Sequence, residues 1–193
     1  MVEKVKHQRL RWLREWVVPI AVGLILAFSI KTWVVTTNVV PSSSMYPTIP
    51  ATSTHHVYIL VNKLATDFGL PIHRGEVVVF HFPDDPKELF VKRVIGLPGD
   101  TVKVTANAVY INGVKLNESN PNIAKSNLPK VGTYHVPSGH YFMMGDNRPI
   151  SLDSRYWVHK YVARSAIVGE ADFTIFPFNN FGPISQSLAA PTK

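Results

Sequence analysis

The chain has 193 residues, 46% of them hydrophobic and 17% charged, the composition of a folded protein of one domain or two small ones. It has no cysteine, which excludes disulfides and thiolate metal sites, and its net charge of +7 admits nucleic acid or an anionic membrane surface as a partner. Fifteen prolines against eleven glycines point to turns and strand ends rather than to a helical bundle.

Lys4, Lys6, Arg9, Arg11 and Arg14 crowd residues 1–15, and no basic stripe interleaved with aromatics follows. That is a basic cytoplasmic segment beside a membrane, not a nucleic-acid surface. Trp16 to Ile30 carries no charge, and apolar character resumes at Trp33-Val34-Val35. Residues 16–35 therefore read as one transmembrane helix of about twenty residues, with indoles at both ends and Lys31 reaching outward. The basic flank puts the N-terminus in the cytoplasm and the rest outside. The alternative is a cleaved signal peptide with Ala27-Phe28-Ser29 at the cut, which would leave Trp33-Val34-Val35 as an exposed apolar end.

From residue 36 to about 180 the pattern is of short strands: Val57 to Val61, Glu76 to Phe80, Phe90 to Ile95 and Thr101 to Thr105. Val109-Tyr110-Ile111 and Val114-Lys115-Leu116 flank Asn112-Gly113, a hairpin signal. Asn117 to Gly132 reads as a loop, Tyr141 to Met144 and Ala171 to Phe176 as late strands, and 181–193 as a loose tail. No long helical periodicity follows the anchor, so the expected fold is mainly β: one transmembrane helix, then an all-β body of antiparallel sheets.

Three stretches could carry chemistry. Pro41-Ser42-Ser43-Ser44-Met45-Tyr46-Pro47-Thr48 is a run of hydroxyls stiffened by prolines, suited to a held nucleophile and equally to a linker. In Phe90-Val91-Lys92-Arg93-Val94-Ile95, strand alternation puts one of the two cations among apolar neighbours. A desolvated Lys92 would lose proton affinity and could act as a general base; otherwise it reaches out to the strand edge. The third, Met144 to Arg155, packs two acids, two arginines and two serines around glycine and proline, as a salt-bridged turn or as support for a site. His55, His56, His73, His81, His135, His140 and His159 lie in no triad signature, and Gly-x-Ser-x-Gly, Ser-x-x-Lys and His-Glu-x-x-His are all absent. A serine hydrolase here would run on lysine.

These stretches, in this order behind an apolar N-terminal segment, resemble the boxes of bacterial type I signal peptidase, the Ser-Lys dyad proteases, in the single-anchor Gram-positive style. The resemblance covers nearly the whole chain. It implies a membrane-bound serine endopeptidase, without metal or cofactor, that removes signal peptides from secretory preproteins after Ala-x-Ala. It further implies Ser44 as nucleophile, Lys92 as base, Ser42 in the oxyanion hole and Ser151 bonded to Lys92. Asp153 with Arg155, and Asp146 with Arg93, match the supporting pairs; Val40, Ile49, Val79, Phe90 and Val91 map to the substrate pockets. A small β subdomain is implied at about 105–140. The chain departs from the family at Pro149-Ile150, where an acid and an asparagine are usual, and at Thr54-His55-His56, where a Gly-Asp turn is usual. The rivals are a soluble self-cleaving Ser-Lys protease and a membrane-tethered β domain, or inactive relative, that only binds. Oligomeric state is not legible in the sequence.

Overall fold

The computed structural model describes residues 12–50, 56–118, 123, 128 and 130–188. Lys4, Lys6, Arg9, Arg11, Thr54, His55 and residues 189–193 lie outside the described residues. The apolar run forms a π-helical turn, Leu13–Val17, and a helix, α1 (Val18–Trp33). Trp16, Ile20, Leu24, Ile25 and Phe28 are each more than half exposed. No helix among the described residues is long and apolar enough to cross a membrane; α1 has 16 residues. It also stops short of the expected span, because Val35 opens strand β1 (Val35–Val40). Its β-branched residues favour extended backbone, and β2 (Val57–Asn62) supplies the partner.

The body is mainly β, and every strand pairing is antiparallel. The large sheet adds β3 (Val77–Phe82), β4 (Asp85–Gly96), β9 (His140–Met144), β10 (Val162–Ala163), β11 (Ile167–Phe176) and β12 (Gly182–Pro183). Its order is β1-β2-β11-β3-β4-β9-β10, with β12 beside β11. β3 lies in the middle and is buried on both faces. Val77 and Val79 pack with Met45, Ile49 and Val91, while Val78 and Phe80 pack with Trp157 and Met143. A second sheet, ordered β7-β6-β5-β8, joins β5 (Thr101–Val104), β6 (Val109–Ile111), β7 (Val114–Lys115) and β8 (Gly132–His135). Asn112 and Gly113 take positive φ between β6 and β7, the turn their sequence favours.

Two features of the large sheet place the site. Strand β4 pairs with β3 along its length but meets β9 only at Arg93, Val94 and Gly96, so residues 85–91 have one edge unpaired among the described strands. Among the described strands, β1 pairs only with β2. Counting alternations through the sheet, β1 and β4 run in the same sense.

The C-terminal segment departs from the loose tail the sequence suggests. Gly182–Pro183 pairs with β11, Ile184 and Leu188 are buried, and Gln186 bonds to Val77 N and Ala171 O. Its few apolar residues are spaced too irregularly to show a period.

Candidate active site

Pro41 ends β1, and Ser43–Met45 forms a single 3₁₀ turn. The turn is pinned from beneath. Met45 and Ile49 are buried in the core with Val40, Val57, Val79 and Val91, and burying each such side chain stabilises by about 1.5–3 kcal/mol. It is also pinned from the third stretch: Asn147 donates its N–H to Ser44 O (3.0 Å) and its amide to Ser43 O (3.2 Å), and Thr48 Oγ1 donates to Asp146 Oδ2 (2.5 Å). Asn147 lies in the third stretch, but nothing in the sequence distinguishes it from a turn residue. Ser44 thus sits at the end of a strand, on a turn held from two sides.

Lys92 approaches from β4. Its Nζ bonds to Ser44 Oγ at 2.6 Å and to Val91 O at 3.1 Å, and it lies 5.4 Å from the centre of the Phe90 ring. Burial lowers its pKa from 10.5 to about 8, partly opposed by the charges of Asp153 and Asp146. Alternation predicted one buried cation; the structure buries both. Arg93 is tolerated inside because Asp146 takes its Nε and Nη2 at 2.7 and 2.6 Å, and Gly75 O and Ser185 O take Nη1. Lys92 has no such carboxylate contact and gives up proton affinity instead.

Ser42 Oγ lies 3.1 Å from Ser44 Oγ. Asp153 accepts Arg155 Nε and Nη2 at 2.8 Å each, and Gly145 N at 3.0 Å, while Arg155 Nη2 also reaches Arg148 O. These contacts bring together Ser42, Ser44, Lys92, Arg93, Asp146, Asp153 and Arg155. The expected Ser151–Lys92 bond is not formed: Ser151 Oγ is buried and has no hydrogen-bond partner among the described residues. It faces Gly145 instead. A methyl at Gly145 would overlap Ser151 Oγ and lie 2.5 Å from the Ser44 carbonyl. Gly145→Ala is therefore expected to push Ser44 out of line, lowering kcat about a hundredfold, with about 1–3 kcal/mol of stability lost to overpacking. Kinetics and urea denaturation of the variant check both.

A cleft of about 280 Å³ opens beside these groups. Val40, Phe90 and Val91 line it as expected, but Ile49 and Val79 do not; they are core residues packed with Val40 and Val91. Val79 sits opposite Val91 on β3, one strand further from the cleft, and Ile49 follows Met45 into the core. Ile150, from the departing pair, lines it too, as do Leu89 and Leu152, which the sequence did not single out, and no histidine does. The departure at Pro149-Ile150 therefore adds an apolar side chain to the cleft. Among the described residues no cluster of three or more His, Asp or Glu could hold a metal.

A buried amine on a serine hydroxyl, beside an apolar cleft with two free strand edges, can perform acyl transfer on an extended peptide. Residues 13–176 match the family described as signal peptidase, peptidase S26. The chain is 36% identical over 179 residues to a signal peptidase I of Leptolyngbya laminosa, covering 89% of this chain and 84% of that one. It is 35% identical over 185 residues to signal peptidase I T of Bacillus subtilis, covering 92% of each, and 38% identical over 174 residues to a signal peptidase I of Bacillus amyloliquefaciens, covering 86% of each. The chain belongs to the signal peptidase family, peptidase S26, and is a serine peptidase of the kind that removes signal peptides.

Proposed function

We propose that this chain is a membrane-bound endopeptidase that cuts secretory preproteins after Ala-x-Ala through a Ser44–Lys92 dyad. The observation that carries the reading is the 2.6 Å contact between Ser44 Oγ and a buried Lys92 amine whose pKa is lowered to about 8. At that pKa an appreciable fraction of the amine is neutral near pH 7, enough to accept the serine proton.

Ser44 Oγ attacks the scissile carbonyl as its proton passes to Lys92 Nζ. The oxyanion is held by the Ser42 hydroxyl and the Ser44 N–H; such donors are worth about 3–4 kcal/mol of barrier each. The Lys92 ammonium then protonates the leaving amine, leaving an ester on Ser44. Neutral Lys92 next takes a proton from the water that attacks this ester and returns it to Ser44. Ser151 orients the amine when its hydroxyl turns from Gly145 towards Lys92; its unpartnered, buried state favours such a role. Asp146 with Arg93, and Asp153 with Arg155, hold the nucleophile turn and the third stretch in place.

The substrate adds as a strand between the unpaired edges of β1 and β4, parallel to both, with backbone bonds supplying much of the grip. Small side chains fit because the cleft wall at Val40 and Val91 is backed by Ile49 and Val79. Apolar side chains exposed all round the N-terminal helix suit lipid, and the six residues of β1 set the site about 20 Å along the chain from that helix. The catalytic body accordingly faces the extracytoplasmic membrane surface.

The test is cleavage in detergent of a preprotein bearing Ala-x-Ala, with the new N-terminus sequenced. Wild type is expected to cut after the second alanine, and Ser44→Ala and Lys92→Ala to lose the cut. A cut surviving Lys92→Ala removes the lysine from the mechanism.

A further inference from the structure

The turn between β3 and β4 carries a contact that the dyad does not need. Asp84 accepts three bonds from the loop that continues the third stretch: Val158 N at 2.9 Å, His159 N at 2.8 Å and His159 Nδ1 at 2.7 Å. The His159 side chain is exposed and the Asp84 carboxylate partly so, which screens the charge pair, and the two backbone bonds supply most of the hold. They fasten the tip of the lysine-bearing hairpin to the loop just after Trp157.

Trp157 is buried, yet its indole N–H has no hydrogen-bond partner among the described residues. Packing alone holds the ring, while the Trp157 backbone N–H donates to Asp153 O at 3.3 Å and its carbonyl accepts from Lys160 Nζ at 3.0 Å. It meets Phe82 edge-on at 5.3 Å and Phe90 at 6.0 Å, and those two rings stack at 4.3 Å with planes 2° apart. The Phe90 ring in turn lines the cleft and carries the Lys92 amine over its face. A continuous set of contacts thus runs from Asp84 through Trp157 to the cleft wall.

We propose that Asp84 is a positioning residue that, by clamping Val158 and His159, seats Trp157 against Phe90 and so sets the width of the substrate cleft. The proposal rests on the cleft being the peptide site. The wall made by Leu89, Phe90 and Val91 belongs to a strand half that lacks a β9 partner. Strand β3 holds it along one edge only, and the clamp adds a second hold from the hairpin tip. A loosened wall grips a small side chain less well and admits a larger one, while the Ser44–Lys92 contact, seated deeper in β4, is left in place.

The full chain in detergent is assayed on two peptides, one with alanine and one with valine before the cut. Asp84→Ala removes all three bonds and is expected to raise KM for the alanine peptide about three- to tenfold, with kcat within about twofold, because only part of that hold is transmitted through Trp157 to the cleft. The preference for alanine over valine falls with it. His159→Ala keeps both backbone bonds and leaves KM within about twofold of wild type. A folded Asp84→Ala protein with unchanged KM and preference overturns the proposal, as does a loss confined to kcat. If Asp84→Ala does not fold, Asp84→Asn, which keeps one acceptor, decides by the same split. Absence of cleavage by wild type would instead count against the proposed function. The clamp is then judged by the Kd of a labelled Ala-x-Ala peptide, weakened by Asp84→Ala if the clamp shapes the cleft and unchanged if it does not.

Discussion

Lys92→Met is expected to abolish cleavage and at the same time to stabilise the fold. The folded pKa of about 8 lies below the 10.5 of an unfolded lysine. Below pH 8 both states hold the proton, and the folded state bears the whole cost of burying the charge. Between pH 8 and 10.5 only the unfolded chain keeps it, so stability rises with pH across that window. The gap corresponds to about 3 kcal/mol of destabilisation at neutral pH. Methionine fills similar space without charge, and a gain of about 1–3 kcal/mol is expected at pH 7 after the lost contacts to Ser44 and Val91 are allowed for. Denaturant midpoints of wild type and variant at pH 7 and pH 10 check this, and the gain should shrink at the higher pH. An equal midpoint at pH 7 would mean that Lys92 is not buried as a charge.

Asp146→Ala is expected to have the opposite character, costing both stability and activity. It leaves the fully buried Arg93 guanidinium without its carboxylate, a change worth about 3–5 kcal/mol. It also frees Thr48 from its acceptor and so loosens the turn that carries Ser44. Arg93→Met combined with Asp146→Ala should recover much of the stability, since no charge is then stranded, but not the activity. Thermal unfolding of the single and double variants, alongside their cleavage rates, separates the two effects. A single variant within about 1 kcal/mol of wild type would contradict the buried pair.

The sequence revealed residue types and local order well, and long-range partners poorly. The hydroxyl run, the Lys92-Arg93 strand and the third stretch were legible because their residues break the surrounding pattern. Strand alternation could not say that Arg93 would also be buried, since its partner Asp146 lies 53 residues away. Asn147 and Asp84 looked like ordinary turn residues, and their contacts cross between elements that share no local signal. β1 was hidden by polar Thr36, Thr37 and Asn38 and by the reading of Val35 as membrane-spanning. β8 has Tyr134 as its one buried residue, and two-residue strands such as β10 and β12 are too short to show a period. The family resemblance maps Ile49 and Val79 to the substrate pockets, whereas packing puts them one layer deeper.

The central claim is that lysine, not histidine, activates Ser44, and the pH dependence of kcat/KM tests it most directly, because that ratio reports groups of the free enzyme. On a preprotein-derived peptide, kcat/KM should rise about tenfold per pH unit through the acid range and level off near pH 8, as Lys92 becomes neutral. A limb centred near 6.5, the ordinary range of histidine, or a flat profile down to acid unfolding, would contradict the Ser44–Lys92 dyad.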